Sequence, residues 1–578
     1  MAYQKSPYIQ MRGGLNLRAS VMQMNPGQLL GAKNVECKTP TGYRRVDGYT
    51  LWDANEITGE GATLGGFIYG NTVYAFRNVV GSASAKMWKS TGGGWTEVDL
   101  GKTIDFTSGS TEIEVGSTIV GATSGATAVV AHVYRSSGSW QAGDAAGTLT
   151  IYTQVGTFQS EDLNISGGAS NVASVGGDST AVTLLPGGTY RFDKYNFNGV
   201  SKIYGVSGTN KAFEFDGTYY IQIRTGMADD TPDHVIGYKS HLFLSFGTSL
   251  QFSPIGEPTA VWTAVTGAGE LLTESTVTGL TQVSTGALAI ATRTGWMFLQ
   301  GSSSADFVST NMREYGNEVG CYADTLQQLG SRVVFFDDRG VMEIRASQNY
   351  GDFQDATLSQ HIQDLIDVRI GDVVCSCVVK EKNQYRLFFD GGKGLTLGYY
   401  QDRVLGFTEF EYPVSVKWVA TGESDAGREL AVFGTTTGYV YRMDSGNSFA
   451  GTAITTFLQT AYHSLGSPRD VKRWRSATLD LLSSANTSLS VKPDFRNVSE
   501  GVPPYSYTDI NLYGAGSPLG SFVLGSSVLG GSIINEGWVE LEGRGDFCSL
   551  ILRSSSTTDD AWELDGIIYE VLPGRRRY

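Results

Sequence analysis

VVFFDDRGVMEIR, at Val333–Arg345, is an apolar run that breaks at a turn of Asp and Gly and resumes as a second apolar run. β-branched and aromatic residues suit a pleated, half-buried surface, and Asp and Gly tolerate the positive φ that tight hairpin turns demand. The segment therefore predicts an antiparallel β-hairpin.

The same pattern occurs four more times along the chain, at Phe67–Asn78, Ala212–Arg224, Tyr385–Tyr400 and Ala431–Asp444. The last three hairpins begin at residues 333, 385 and 431, so they are spaced by 52 and 46 residues. One four-stranded propeller blade occupies about 40 to 50 residues. The repetition predicts a β-propeller and leaves the number of blades open.

The composition also favours an all-β fold. The chain has 74 Gly among 578 residues, where average usage would give about 40, and only 14 Pro. No Gly-X-Y period is present, which excludes a collagen-like chain. With 41% apolar and 11% aromatic residues, the chain has too much core material to be disordered.

Shifts in composition divide the chain into regions. We predict an extended N-terminal arm at 1–50, the first propeller blade at 51–102, an inserted Gly-, Ser- and Thr-rich β-domain at 103–188, the remainder of the propeller at 189–445, and a C-terminal sandwich-like β-domain at 446–578 with an exposed loop at 497–535. Pro26–Asn34 predicts a short turn or helix in the arm.

One helix is expected in the propeller, in the segment DATLSQHIQDLIDVRIGD at 355–372. Its apolar residues Leu358, Ile362, Leu365 and Ile366 fall on one helical stripe that can dock on a sheet. His361 lies beside this stripe and is expected to be satisfied or solvent-facing rather than a ligand.

The net charge of −15 argues against a surface that grips nucleic acid, because such proteins are usually basic. Ordinary acidic solubility explains the charge. A second explanation is that the protein lines a channel for DNA, because an acidic wall repels phosphate and would let the duplex pass without binding. The five scattered cysteines predict buried reduced thiols rather than disulfides or a zinc site. The N-terminus lacks a signal-peptide core and no apolar run reaches membrane-spanning length, so we expect a protein made in a cytoplasm.

Motifs that carry chemistry are weak. Ser90–Trp95 approaches a sialidase Asp-box but lacks its aspartate, and Glu314-Tyr315 could imitate a carboxylate-activated tyrosine, although a core aromatic is the favoured interpretation. The acid pairs Asp229-Asp230, Asp337-Asp338 and Asp559-Asp560 lie in turn contexts that explain them. No phosphate-loop, nucleophile-elbow or zinc-protease motif occurs. We therefore expect a non-enzymatic protein with no catalytic residue, cofactor or metal.

Basic residues concentrate in two places that are candidates for partner contacts: Arg469, Lys472, Arg473 and Arg475 along one strand, and Arg575, Arg576 and Arg577 at the end of the chain. A solvated strand edge and a solvated tail explain them. On an acidic chain they could instead make salt contacts to an acidic neighbour in an assembly.

Several segments resemble the tail nozzle proteins of short-tailed bacteriophages, also called tail tubular protein B. GGLNLRAS, NPGQLLGAKNVEC and GYRRVDGY, within residues 13–49, are similar to the arm of this family. REYGNEVGCYADTLQQLGSRVVFFDDRGVMEI at Arg313–Ile344 resembles its propeller core, and RWRSATLDL with SSSTTDDAWELDGIIYEVLPGRRR resembles its closing β-domain. The insert, with TSGATAVVAHV and GTFQSEDL, looks like a small β-module of varied phage structural proteins.

The resemblance implies a virion structural protein that forms a six-subunit ring below the portal adaptor. Its channel would retain viral DNA in the capsid and conduct it during ejection without binding it specifically. Expected partners are other copies of the chain, the adaptor, and tail fibres or a host receptor. Loop 497–535 and the insert are both candidate gates.

Two other functions remain open. One is a propeller glycan hydrolase or depolymerase of the tail, which would use Glu314 and Tyr315. The other is a receptor-binding adhesin, for which the insert at 103–188 is the discriminating feature.

Overall fold

The computed structural model describes residues 4–20, 23–283, 286–315, 318–346, 353–401, 403–424, 426–466, 468–483, 487–496, 505–512 and 534–572. This part of the chain is nearly all β, which confirms the predicted fold class. It contains a single α-helix, α1 (Gln363–Arg369), flanked by 3-10 turns at Gln360–Ile362 and Ile370–Asp372. Three further 3-10 turns lie at Ala264–Thr266, Ser309–Asn311 and Asp390–Gly392.

The N-terminal arm contributes six short strands: β1 (Gln4–Lys5), β2 (Ile9–Gln10), β3 (Leu29–Lys33), β4 (Val35–Cys37), β5 (Tyr43–Arg45) and β6 (Thr50–Leu51). The chain then enters blade 1, which consists of β7 (Glu60–Tyr69), β8 (Thr72–Asn78), β9 (Ala85–Ser90) and β10 (Thr96–Glu97). Each strand of the blade pairs antiparallel with the next, as the hairpin pattern at Phe67–Asn78 predicts.

The insert follows blade 1 and contains β11 (Lys102–Gly109), β12 (Thr118–Gly121), β13 (Thr127–Ser137), β14 (Ala145–Val155), β15 (Ser160–Ile165), β16 (Ala173–Gly176) and β17 (Thr180–Ala181). Because β11 pairs with both β14 and β16, six strands close into a small barrel. The barrel has its own apolar core, including Phe106, Ile119, Leu149 and Leu163. This agrees with the predicted separate β-domain.

The propeller resumes with blades 2 to 5. Blade 2 contains β18 (Arg191–Asn196), β19 (Ser201–Val206), β20 (Phe213–Phe215) and β21 (Tyr220–Gln222). Blade 3 contains β22 (His234–Tyr238), β23 (His241–Phe246), β24 (Ser249–Phe252) and β25 (Gly269–Leu272). Blade 4 contains β26 (Val277–Gln282), β27 (Leu288–Thr292), β28 (Trp296–Leu299) and β29 (Met312–Tyr315). Blade 5 contains β30 (Gln327–Leu329), β31 (Arg332–Asp337), β32 (Gly340–Ala346) and β33 (Phe353–Thr357).

Two further blades complete the ring. Blade 6 contains β34 (Val373–Val379), β35 (Gln384–Phe389), β36 (Lys393–Tyr400) and β37 (Arg403–Glu411). Blade 7 contains β38 (Val416–Glu423), β39 (Glu429–Thr435) and β40 (Val440–Arg442), and its outer strand is β6 of the arm. Six blades are separate four-stranded sheets, whereas blade 6 belongs to a larger sheet. The innermost strands contact one another in sequence and β38 contacts β7, so the ring closes with seven blades.

The C-terminal domain is a sandwich of two sheets, built from β41 (Ile454–Thr460), β42 (Lys472–Ser483), β43 (Thr487–Arg496), β44 (Thr508–Leu512), β45 (Ile534–Gly545), β46 (Phe547–Ser556) and β47 (Trp562–Leu572). In one sheet the order is β4-β5-β47-β42-β45, with β1 and β2 also paired to β47. The other continues blade 6 in the order β34-β35-β36-β37-β3-β41-β46-β43-β44. Strand β3 of the arm therefore joins the propeller to the sandwich.

The N-terminal arm is part of the core. Met11, Leu15, Leu29 and Tyr43 are all buried, in the same apolar cluster as the sandwich and blades 5 and 6. Gly14 has φ of 64°, and a Cβ there would lie 2.5 Å from the backbone nitrogen of Phe407. Only glycine allows the arm to approach blade 6 this closely.

Three local predictions are corrected in part. The segment Pro26–Asn34 is a turn followed by strand β3 rather than a helix. The helix predicted over 355–372 is shorter, because β33 occupies its first residues and 3-10 turns occupy its ends, although Ile362 and Ile366 are fully buried as its stripe requires. Within the predicted loop 497–535, Thr508–Leu512 forms edge strand β44, while most of the remainder lies outside the described residues.

Candidate functional site

The axis of the propeller contains a cavity of about 420 Å³. Every blade contributes lining residues from its innermost strand or the residues just before it, among them Phe67, Arg191, Val235, Leu280, Gln327, Ser376 and Trp418. Propellers place ligand and catalytic groups on this axis, so its chemistry decides whether the fold carries a reaction centre here.

An ion pair dominates one side of the cavity. Arg191 of blade 2 donates from Nη2 to Oδ2 of Asp324 at 2.8 Å and from Nη1 to the backbone carbonyl of Asp233 at 3.0 Å. The backbone N–H of Ser376, in blade 6, donates to the carbonyl of Asp324 at 2.9 Å. Burial alone would lower the pKa of Arg191, but Asp324 raises it above its ordinary value. The pair thus links blades 2, 5 and 6.

A buried histidine lies beside this pair. His234 Nδ1 lies 3.2 Å from the hydroxyl of Ser245, and burial together with the Arg191 charge lowers the pKa of His234 to about 3. The ring is therefore neutral at pH 7. Its Nε2 and the Thr278 hydroxyl are buried without a hydrogen-bond partner among the described residues.

These groups do not form a nucleophile–base arrangement, because Arg191 and Asp324 neutralise each other and His234 bonds to Ser245, a residue of the same blade. What the geometry does provide is a brace between non-adjacent blades. This brace could not be predicted from the sequence, since Arg191 and Asp324 are 133 residues apart and neither lies in a motif.

A second charged cluster ties the arm to the propeller, and we call it the arm cluster. It consists of three acids and three bases: Glu36, Asp47, Asp444, Arg44, Lys382 and Arg386. Lys382 Nζ lies 2.8 Å from carboxylates of both Glu36 and Asp47 and 2.9 Å from Asp444. Burial would raise the pKa of Asp444, but Arg386 and Lys382 hold it below its ordinary value. Counted alone, these six groups balance in charge, and Arg44 also lies 3.4 Å from Glu563 of the sandwich.

The turn at Ser90–Trp95 obtains its aspartate from elsewhere in the chain. Asp53 Oδ2 accepts hydrogen bonds of 2.6 Å from the Ser90 hydroxyl and from the Gly94 N–H. Burial would raise the pKa of Asp53, but these bonds and one from the Asn55 N–H lower it. The segment is a structural hairpin, as predicted, and the residue that holds it was missed because it lies about 40 positions upstream.

Glu314 and Tyr315 occupy consecutive positions on β29, the outermost strand of blade 4. Successive side chains of a strand point to opposite faces. Glu314 is exposed, whereas Tyr315 packs against the core near Phe298, with ring centroids 6.2 Å apart. The structure therefore does not bring the two groups together and places them far from the axial cavity lining.

The acid pairs lie at or beside turns, although Asp337 is the last residue of β31, and two of their carboxylates bind groups that are distant in sequence. Asp230 accepts from the Thr225 hydroxyl at 2.7 Å, Asp338 pairs with Arg293 at 2.6 Å, and Asp560 accepts from Asn447 at 2.6 Å. His361 is exposed, and all five cysteines are buried free thiols, in agreement with the sequence. Among the described residues, no group of three or more His, Cys, Asp or Glu side chains could hold a metal ion.

The basic residues of the sandwich separate into two sets. Arg469, Arg473 and Arg475 are exposed, whereas Lys472 is buried and its Nζ donates to the Asp470 carbonyl at 3.0 Å. Lys472 therefore does not belong to the predicted solvated edge, because alternation along β42 turns it inward. Arg575, Arg576 and Arg577 lie outside the described residues.

The exposed arginines share a surface with a tryptophan. Arg473 lies directly opposite Arg544 across β42 and β45, and both are exposed. On the same face Trp538 is 57% exposed and stands opposite Thr478. Glu540 and Glu542 are exposed on the same face of β45, between Trp538 and Arg544, so this surface has mixed charge. Sequence alternation around Trp538 could have indicated its exposure, but its position beside the arginines depends on strand pairing.

Over the described ranges, no helix has the length and apolar character needed to span a membrane. No protein-family model matches the sequence, and no curated protein matches it.

Solved structures match the fold at a distance. Raptor of Chaetomium thermophilum is 8% identical with a TM-score of 0.36, and the match covers 70% of this chain and 29% of Raptor. PorZ, a surface component of the type-IX secretion system of Porphyromonas gingivalis, is 9% identical with a TM-score of 0.33, over 85% of this chain and 71% of PorZ. BBS1N, solved in complex with ARL6DN, is 12% identical with a TM-score of 0.28, over 47% of this chain and 88% of BBS1N. Similarity this low says nothing about function, so the propeller assignment is based on the sheet topology itself.

Proposed function

We propose that the chain is a structural component of a phage tail, the nozzle ring below the portal adaptor. In this role six copies surround a channel that retains viral DNA and then conducts it during ejection. The protein would be made in the host cytoplasm and reside in the virion tail. The proposal is based on the resemblance of the arm, the segment Arg313–Ile344 and the C-terminal strands to nozzle proteins.

The observation that carries the proposal furthest is the continuous nine-stranded sheet that runs from blade 6 through β3 into the sandwich. β3 pairs along β41 of the sandwich and meets β37 of the propeller at Lys33 and Glu409, and the buried arm packs against both bodies. A wall that withstands the pressure of packaged DNA requires such a stiff subunit. The arm segments of the resemblance are the same segments that form this connection and its core.

The channel of the proposed ring would lie between subunits. The axial cavity of one propeller encloses about 420 Å³, the volume of a sphere about 9 Å across, whereas the major groove of a duplex alone is about 12 Å wide. Six copies would carry a formal charge of six times −15, or −90. Acidic walls repel phosphate and would let the duplex slide without specific contacts.

Electron microscopy of purified protein and of virion tails tests the proposal. We expect sixfold particles with a central channel, located directly below the adaptor ring. A chain that occurs as a monomer in assembled tails would refute it.

The receptor-binding alternative is supported by one specific feature. The insert is a closed barrel with its own core, and its first and last strands pair through Lys102 with Ala181 and Thr103 with Thr180. The barrel strands, up to Ala181, can be removed while Leu184, which packs in the core of blades 1 and 2, is kept. If removal abolishes adsorption while tails still assemble, the insert binds the receptor or a fibre.

A further inference from the structure

The barrel of the insert is joined to the propeller by two chain segments that pair with each other, and we call residues 101–103 and 180–182 the neck. The Val182 N–H donates to the Gly101 carbonyl at 3.1 Å, and β11 and β17 continue this pairing. Beyond the neck, the Ala85 N–H of blade 1 donates to the Leu184 carbonyl at 2.9 Å. The neck is therefore a paired ribbon and not two free linkers.

A second attachment lies on the side of the barrel. The hydroxyl of Tyr152, on β14, accepts a hydrogen bond from the Tyr220 N–H at 2.7 Å and donates to the Tyr220 carbonyl at 3.2 Å. Tyr220 begins β21, the outermost strand of blade 2, and in the described part of the chain no further strand pairs with β21. One phenol hydroxyl thus satisfies two backbone groups that a neighbouring strand would otherwise bind.

The surroundings of Tyr152 suit this contact. Its side chain is buried, and its ring packs edge-on against Tyr219 with centroids 4.9 Å apart. Burial raises the pKa of Tyr152 above its ordinary value, so the hydroxyl keeps the proton that it donates. Gly101 lies against the same ring, where a Cβ would be 2.6 Å from it. Barrel, neck and blade 2 therefore meet at one side chain.

Further contacts extend the attachment along β13. The guanidinium of Arg224, just after β21, lies 5.6 Å from the centroid of the Tyr134 ring. Burial, together with the charge of Lys202 on blade 2, lowers the pKa of His132 to about 4. The His132 ring is therefore neutral at pH 7. Strands β13 and β14 thus lie against the outer part of blade 2 over several residues.

We infer that the Tyr152 contact locks the barrel in one orientation on the outer edge of blade 2, so that the insert moves together with the propeller. To swing on its neck, the barrel would have to leave both backbone groups of Tyr220 without their partner and open the contact with Tyr219. A gate must move. In the proposed nozzle, on which this last step rests, the insert is a fixed attachment and not the gate.

Spin labels on the full chain test the inference. The five native cysteines are buried, whereas Val115 of the barrel is 64% exposed and Val368 of α1 is 81% exposed, so V115C and V368C give two selective labelling sites. Double electron–electron resonance should show one narrow distance distribution between the labels. We expect Y152A, which removes the hydroxyl and the ring contact, to broaden this distribution and shift its mean.

Amide exchange supplies a second measurement with a milder variant. Y152F removes only the hydroxyl, so it keeps the test valid if Y152A unfolds the barrel. Exchange at Tyr220–Gln222 should become about tenfold faster in Y152F, because a buried backbone group loses its partner. Y238F is the matched control, since the Tyr238 hydroxyl also binds a backbone carbonyl, that of Gly286, at 2.9 Å, far from the barrel. It should change neither measurement.

Three results would overturn the inference. A broad distribution in the wild type would mean that the barrel swings on its neck. A distribution that stays narrow in folded Y152A, or unchanged exchange in Y152F, would mean that Tyr152 is not the lock. Equal effects of Y238F would mean that the propeller loosens as a whole. Because these measurements use the isolated chain, a failure to find sixfold particles would refute the nozzle and leave the fixed barrel standing.

Discussion

Replacing Asp444 by Asn should loosen the arm. Asp444 follows blade 7 and binds two bases of blade 6, Lys382 at 2.9 Å and Arg386 at 3.0 Å. Its φ is 51°, a conformation that Asn also tolerates, so the variant removes charge without straining the backbone. The arm cluster changes from three acids and three bases to an excess of one positive charge.

The expected loss of stability in D444N follows from how deeply the Arg386–Asp444 pair is buried. Arg386 is almost completely buried, whereas the Asp444 side chain is 18% exposed. Removing one partner of a buried pair costs about 3–5 kcal/mol. Because Asp444 is partly exposed, we expect the lower end of this range, about 3 kcal/mol. This corresponds to about a hundredfold faster exchange of the amide hydrogens protected by the cluster.

Hydrogen exchange read by mass spectrometry is the appropriate assay, because a chain with a propeller, a barrel and a sandwich need not unfold in one step. Faster exchange is expected at Val35–Cys37 and Tyr43–Arg45, with no change in blade 3. Asp229→Asn, at an exposed turn, is the control. Unchanged exchange in the arm, or equal acceleration in blade 3, would refute the stated role of the cluster.

The pH dependence provides a second check. The pKa of Asp444 is lower in the folded chain than its ordinary value of about 3.9. Its contribution is therefore complete above that ordinary value and is lost as the pH falls through the folded-state pKa. The difference between wild type and D444N should be constant near pH 7 and shrink on acidification. The double variant R386M/D444N should cost less than the sum of the single variants, because it restores charge balance.

Three further predictions concern other parts of the molecule. Asp53→Asn should accelerate amide exchange in the Ser90–Trp95 turn by an amount that reflects about 1–3 kcal/mol. Acidification should have the same effect on the wild type, since the pKa of Asp53 is lowered in the folded chain. Unaltered exchange would contradict the role of Asp53 in holding this turn. Deleting 103–181 with a short Gly-Ser linker should leave the unfolding temperature of the remaining propeller nearly unchanged, because the paired strands β11 and β17 bring the ends of the barrel together and Leu184 stays in the core of blades 1 and 2; an unfolded product would contradict this. Glu314→Gln and Tyr315→Phe should leave any polysaccharide cleavage by tails unchanged, and loss of cleavage in both would favour the hydrolase alternative.

The sequence predicted the parts of the fold that depend on local pattern. Each repeated hairpin, such as Val333–Arg345, lies within one blade, because alternation and turn residues act over a few positions. Pairings between distant segments were missed. Strand β3 lacks a helical or strand signal of its own and becomes a strand because β37 and β41 flank it. The roles of Asp53 and Lys472 were missed for the same reason. Asp53 binds a turn that is distant in sequence, and Lys472 is buried in the sandwich.

The position of β3 also determines how the molecule responds to force. It runs parallel to β37 and antiparallel to β41, so it hydrogen-bonds to the propeller on one side and to the sandwich on the other. Further along the arm, β5 joins the opposite sheet of the sandwich and β6 completes blade 7. A rotation of the sandwich against the propeller must therefore break backbone hydrogen bonds in β3 or pull β6 from blade 7. Both are costly in a buried sheet, so the two bodies move as one unless the arm detaches.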